Sequence, residues 1–118
     1  MIRDVNTRPQ EFTELRRSTR VALEVSIQVE GELGVLKGET VVVNLHGALI
    51  STVNPISLGS QIEVTVYLTG KAGSARVVYV VPDNPLTCGI ELERPQNIWG
   101  VSLLPDDWEE GKHMSASR

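Results

Sequence analysis

Between Val21 and Glu30 every second residue is a large apolar one: Val21, Leu23, Val25, Ile27 and Val29 alternate with Ala22, Glu24, Ser26, Gln28 and Glu30. A period of two sends successive side chains to opposite faces of an extended chain, so this stretch predicts a strand with one buried and one wet face. A strand satisfies its backbone only by pairing, and the partners follow at once. Glu30-Gly31-Glu32-Leu33-Gly34 supplies turn glycines, and Val35 to Asn44 returns as a second strand that includes the β-branched run Val41-Val42-Val43.

The pattern repeats. Leu45-His46-Gly47 turns the chain into Ala48-Leu49-Ile50-Ser51-Thr52, which Asn54-Pro55 ends. Ile62, Val64, Val66 and Leu68 alternate with Glu63, Thr65 and Tyr67, and Thr69 to Gly73 makes a hairpin into Ser74 to Val81. Pro82-Asp83-Asn84-Pro85 breaks the chain before a last strand, Leu86 to Glu93. Six strands at spacings of roughly ten residues, punctuated by glycine or proline, predict an all-β antiparallel barrel or sandwich. Pro95 to Leu104 is the one expected helix, with Ile98, Trp99, Val101 and Leu103 covering the barrel and Pro105 stopping it. A chain of 118 residues suits one such domain. The expected division is a flexible arm over residues 1–14, the barrel over 15–108 and a disordered tail over 109–118. Neither Met1-Ile2-Arg3-Asp4 nor any apolar run suggests a signal peptide or membrane insertion, so a cytoplasmic protein is expected. Cys88 is the only cysteine, which fits a reducing compartment and a small buried hydrophobe.

Charge is unevenly spread. The net charge is −4, yet Arg3, Arg8, Arg16, Arg17 and Arg20 all fall within the first twenty residues, leaving the remainder clearly acidic. The net sign argues against binding a nucleic-acid polymer, which needs a basic face to displace counterions from many phosphates. The local cluster Arg16-Arg17-Ser18-Thr19-Arg20 is a different matter. Guanidinium groups are planar, always charged and able to hold phosphate bidentately or stack on a base. Spacing leaves two readings open, a solvated lead-in paired with Glu11, Glu14 or Glu24, or a grip on a small anion. Arg16 and Arg20, four apart, project to one side of either a helical turn or a strand.

Catalytic constellations are lacking. His46 lies in a turn and His113 in the tail, Cys88 lies within a strand pattern, and the carboxylates are scattered over wet faces. No spacing suggests a metal cluster, a nucleophile with its base, or a phosphate-binding glycine loop, so neither enzyme activity, metal nor cofactor is expected. Trp99 and Trp108 sit among apolar or proline neighbours and are expected to pack rather than stack on ligand.

The arginine cluster, then a strand, a turn, a second strand and Val42-Val43-Asn44-Leu45-His46-Gly47, together resemble the PilZ domain. The resemblance implies a six-stranded antiparallel barrel that binds cyclic di-GMP. That family's first motif, Arg-x-x-x-Arg, is matched by Arg16 and Arg20. Its second, Asp or Asn, any residue, Ser, two of any, then Gly, is degenerate here. Aligned on Gly47, it has Val42 at the acid or amide and Asn44 at the Ser; starting at Asn44 would put His46 at the Ser and Leu49 at the Gly, a poorer match. Cys88 to Leu92 is similar to the family's last strand, and Asn97 to Val101 resembles a closing segment of some members, so the likeness runs from about Leu15 to Leu104.

The resemblance implies that Arg16 and Arg20 take guanine O6 and N7, a phosphate or a base face, with Arg17 as helper, and that Asn44 and Gly47 complete the site. His46 is either a turn histidine or a minor stacking partner. The expected function is a non-enzymatic adaptor that binds cyclic di-GMP and presents an altered surface to an effector protein. The alternative is a module of the same fold that contacts proteins without nucleotide, to which Val42 points, since valine offers no hydrogen bond. A barrel for single-stranded nucleic acid is disfavoured by 4% aromatic content and the negative charge.

Overall fold

The computed structural model describes residues 18–32 and 34–108. The arm over 1–14, Arg16, Arg17, His113 and the tail over 109–118 lie outside the described residues.

Among the described residues there are seven strands: β1 (Val21–Ala22), β2 (Ser26–Gly31), β3 (Gly34–Val43), β4 (Gly47–Thr52), β5 (Gln61–Val66), β6 (Ala72–Val80) and β7 (Thr87–Leu92). All neighbours are antiparallel, in the order β3-β2-β5-β6-β7-β4, and β4 pairs back onto β3 to close a six-stranded barrel. Closure removes the free edges that an open sheet of this size would expose. The short β1 adds to the outer end of β3 through Val21↔Val43 and Ala22↔Val42.

The inward faces carry the alternating apolar residues. Ile27, Val29, Val64, Val66, Val77 and Ile90 are buried together in one core. Each such side chain removed from water contributes about 1.5–3 kcal/mol before chain entropy is counted, so the barrel is held mainly by its filled interior. Cys88 belongs to this core, and burial pushes its thiol up from 9.0 to about 11.

Three expectations from the sequence are corrected. The strand expected over Val21 to Glu30 is divided, because residues 23–25 lean away from regular pairing. Thr40 fills the gap: its Oγ1 accepts the Val25 N–H at 3.0 Å and donates to the Leu23 carbonyl, beside a register shift between Thr40 and Val42. Leu68, placed by alternation on the buried face, lies past the end of β5 and is exposed.

The third correction concerns the C-terminal helix expected over Pro95 to Leu104. No helix is present among the described residues, and this stretch runs as an irregular segment across one barrel end. Asn97 supplies the reason, since its Oδ1 accepts from the N–H groups of Gly100 and Val101 (each 3.3 Å) and its Nδ2 donates to the Val101 carbonyl at 2.8 Å. A side chain that satisfies these backbone groups replaces helical pairing. Gly100 then takes φ = +96°, which a right-handed helix excludes. Covering the core survives without a helix: Ile98 and Trp99 are buried, Gln96 N–H donates to the Leu45 carbonyl, and Thr69 Oγ1 donates to the Ile98 carbonyl.

Candidate ligand-binding site

The turn between β3 and β4 is built on Asn44. Its Oδ1 accepts the N–H groups of His46 (2.8 Å) and Gly47 (2.9 Å), and its own N–H donates to the Gly47 carbonyl at 2.9 Å. An asparagine that bonds its backbone two and three residues on mimics a backbone turn, which a valine or leucine there could not do. Its carbonyl accepts the Trp99 indole N–H at 3.0 Å, and its Nδ2 reaches the Ser18 carbonyl at 3.4 Å. Asn44 is 2% exposed, so its amide shapes the turn from within. Gly47 is buried, with its backbone engaged in the same turn. His46 is half-buried.

Ser18 and Thr19 bring the chain to this turn. Buried Ser18 accepts the Leu45 N–H on its Oγ at 3.1 Å. Arg20 follows two residues later, exposed, immediately before β1.

On the outer wall beside Arg20 a row of residues crosses five strands in register. Ala22 pairs with Val42, Val42 with Leu49, Leu49 with Gly89, and Gly89 with Tyr79. These are outward positions, because Val43, Ala48, Cys88 and Ile90 next to them point into the core. Outward positions of a barrel in water are normally polar, and the flanking rows are: Glu91, Arg76 and Gln61 on one side, Ser51 and Thr87 on the other. Val42, Leu49 and Tyr79 together are therefore an apolar strip with polar margins. Tyr79 owes its place to an irregularity between Val77 and Tyr79, which turns its ring outward against the side-chain-free Gly89.

A hollow of about 60 Å³ lies on this strip, lined by Val42, Leu49 and Tyr79 with Arg20, Asn44 and Gly47. Clefts that enclose a drug-sized molecule measure roughly 300–1,000 Å³. Whatever binds here lies across the wall rather than inside it. The geometry offers an apolar face for a flat ring and a guanidinium at its margin for an anion or a base edge.

A larger groove, about 460 Å³, lies elsewhere on the wall and is lined by Ser26, Lys37, Glu39, Ser51, Val53 and Tyr67. Gly38 lies in its lining, where β3 and β4 approach so closely that a Cβ would meet the Ser51 carbonyl oxygen at 2.6 Å. It collects none of the residues that the sequence singled out, and its mixed Lys37 and Glu39 lining favours no one sign of charge. The smaller hollow is the stronger candidate on chemistry.

The structure brings Arg20, Asn44 and Gly47 to one place. Leu49 and Tyr79 escaped the sequence reading, although a signal was present: Val41-Val42-Val43, Ala48-Leu49-Ile50 and Val77-Val78-Tyr79-Val80 are runs in which both faces of a strand are apolar. Trp99 and Trp108 are packed in the core, as their neighbours implied. Among the described residues no group of three or more His, Cys, Asp or Glu could hold a metal ion, and no helix is long and apolar enough to cross a membrane.

Searches of curated proteins and of solved structures each found no match to the chain. The family comparison is positive: the PilZ domain model matches residues 14–98, from just before the arginine cluster through β7 to Ile98. With that match over most of its length and a closed six-stranded barrel beneath it, the chain belongs to the PilZ domain family.

Proposed function

We propose that the chain binds cyclic di-GMP across the outer-wall strip and acts as a non-enzymatic cytoplasmic adaptor for an effector protein. The observation that carries this reading is the meeting of Arg20, the Asn44-to-Gly47 turn and the apolar row Val42-Leu49-Tyr79 around one hollow. Arg20 engages guanine or phosphate, and Arg16 and Arg17 of the same cluster add further guanidinium contacts to phosphate or base. Asn44 contributes by holding the turn, Gly47 by leaving room at its corner, and the strip by contact with a base face. With family membership shown and the first motif intact, nucleotide binding is the reading to test first. Calorimetric titration with cyclic di-GMP, with GTP and Arg20→Ala as controls, tests it. Saturable binding that the substitution abolishes supports the receptor; no heat at high micromolar ligand, together with an unchanged melting temperature, removes it.

One observation favours a second reading, a barrel that contacts protein without nucleotide. Val42 stands at the end of the strip nearest Ala22 and offers no hydrogen bond, where the second motif calls for an acid or amide. A hydrogen bond to a charged or base group contributes about 1.5–3 kcal/mol, so its loss weakens affinity on the order of tenfold to a hundredfold. Val42→Asp separates the readings, since restored hydrogen bonding strengthens nucleotide binding only where the rest of the site is competent.

A further inference from the structure

The segment that leads into Arg20 is fastened twice, and only one fastening belongs to the turn beneath the hollow. The first is Ser18 on the Asn44 turn. The second comes from the far end of the chain. Thr19 N–H donates to both carboxylate oxygens of Asp107, at 3.1 and 3.0 Å, and Thr19 Oγ1 donates to Oδ2 at 2.9 Å. The indole Nε1–H of Trp108 donates to the Thr19 carbonyl at 2.8 Å. Trp108 is buried in the barrel core, and its own N–H closes a turn on the Pro105 carbonyl at 3.0 Å. Every backbone polar group of Thr19, and its hydroxyl, is thus held by two consecutive residues, one of them anchored in the interior.

We infer that Asp107 and Trp108 form a clasp that positions the arginine segment for ligand, so that residues 105–108 belong energetically to the binding site and sense its occupancy. This rests on the reading of the hollow as a cyclic di-GMP site. Two effects of Asp107 oppose each other. Its negative charge, one residue's length from Arg20, repels a ligand that carries two phosphates, so by charge alone its removal strengthens binding. Its hydrogen bonds hold the backbone before Arg20 in place, so by geometry its removal transfers the cost of ordering that segment to the binding step and weakens binding. Asp107 is exposed, which screens its charge, whereas its three short contacts with Thr19 and the neighbouring indole act locally. Geometry prevails, and Asp107 and Trp108 are positioning residues.

The test titrates cyclic di-GMP into the full chain and its variants by calorimetry, with the tryptophan indole N–H resonances followed in parallel and assigned through Trp108→Phe. Asp107→Ala weakens binding on the order of tenfold. Asp107→Asn keeps an oxygen that accepts from Thr19 N–H and hydroxyl, and it stays within about threefold of wild type. In the wild type, saturation shifts the Trp108 indole resonance. The Trp99 resonance, which reports the core contact with the Asn44 carbonyl, stays in place in both Asp107 variants and shows that the barrel is intact. Should Asp107→Ala lose cooperative melting, Thr19→Val, which deletes only the hydroxyl contact, carries the test with a loss of about threefold. Asp107→Ala binding as tightly as wild type or tighter, or a Trp108 resonance indifferent to saturating ligand, overturns the clasp while the receptor reading stands. Absence of binding by the wild type overturns both.

Discussion

Two neighbouring rows of the barrel wall, both crossing β3, β4 and β7, differ in chemistry. One runs through Val42, Leu49, Gly89 and Tyr79; the other, displaced along the strands, runs through Ser26, Glu39, Ser51 and Thr87. Both face outward, and Ile27, Val43, Ile50 and Cys88, which alternate with them along the strands, are buried. The second row follows the ordinary rule for a barrel in water. The first departs from it at the point where the arginine segment arrives. Packing does not require this departure, because the inward residues already supply the core. An apolar outer row beside the Arg20 guanidinium suits contact with something flat and anionic, which is why the smaller hollow rather than the larger groove is the proposed site.

That contrast can be broken, and the largest expected effect lies beneath it. Asn44→Ala removes acceptors for two backbone N–H groups and a contact to Ser18, and is expected to cost about 2–3 kcal/mol of stability. Ser51→Ala in the polar row changes stability by less than about 0.5 kcal/mol. Equal losses in the two variants by urea denaturation would mean that the turn is no more critical than the wall around it. The next effect is on ligand. Arg20→Ala lowers cyclic di-GMP affinity at least about tenfold in calorimetry, while Lys37→Ala in the larger groove leaves it unchanged; the reverse result would move the site to that groove. Within the strip itself, Leu49→Ser removes apolar contact without touching the turn bonds of Asn44, and a several-fold loss of affinity, roughly 1 kcal/mol, is expected with little change in melting.

The smallest effect lies on the inner face behind the strip. The Cys88 thiol has a folded pKa raised by burial to about 11 against 9.0 for the free group. A raised pKa means that the folded state keeps its proton longer than the unfolded state does. The contribution is whole below about pH 9 and is lost as pH rises towards 11. Melting temperatures followed from pH 8 to 11 are expected to fall more steeply in wild type than in Cys88→Ala; parallel curves would show that the thiol titrates as though exposed.

How much of this was legible beforehand depends on the range of the interaction. Strands and turns were readable because alternation and glycine punctuation act over a few residues. Val64 or Ile90 could be placed inside from their neighbours alone, and the order of motifs pointed to the family. The helix over Pro95 to Leu104 was misread because its apolar spacing is real, while Asn97 takes over the backbone groups that a helix would pair. The amide of Asn44 was visible in the sequence, but its burial and its hold on the turn were not, because burial depends on packing that sequence does not display.

What the sequence by itself determined is the set of strands, their two-faced character and the cluster of arginines ahead of them, since each follows from local periodicity or local charge. What only the tertiary structure decided is where outward residues of separate strands meet. Val42, Leu49 and Tyr79 adjoin because the barrel closes through β3–β4 pairing and because irregularities in β3 and β6 set their register. Thr19 meets Asp107 and Trp108 across 88 and 89 positions of sequence. Such meetings depend on closure and register, which arise from the sum of all the pairings, and no window of sequence contains that sum.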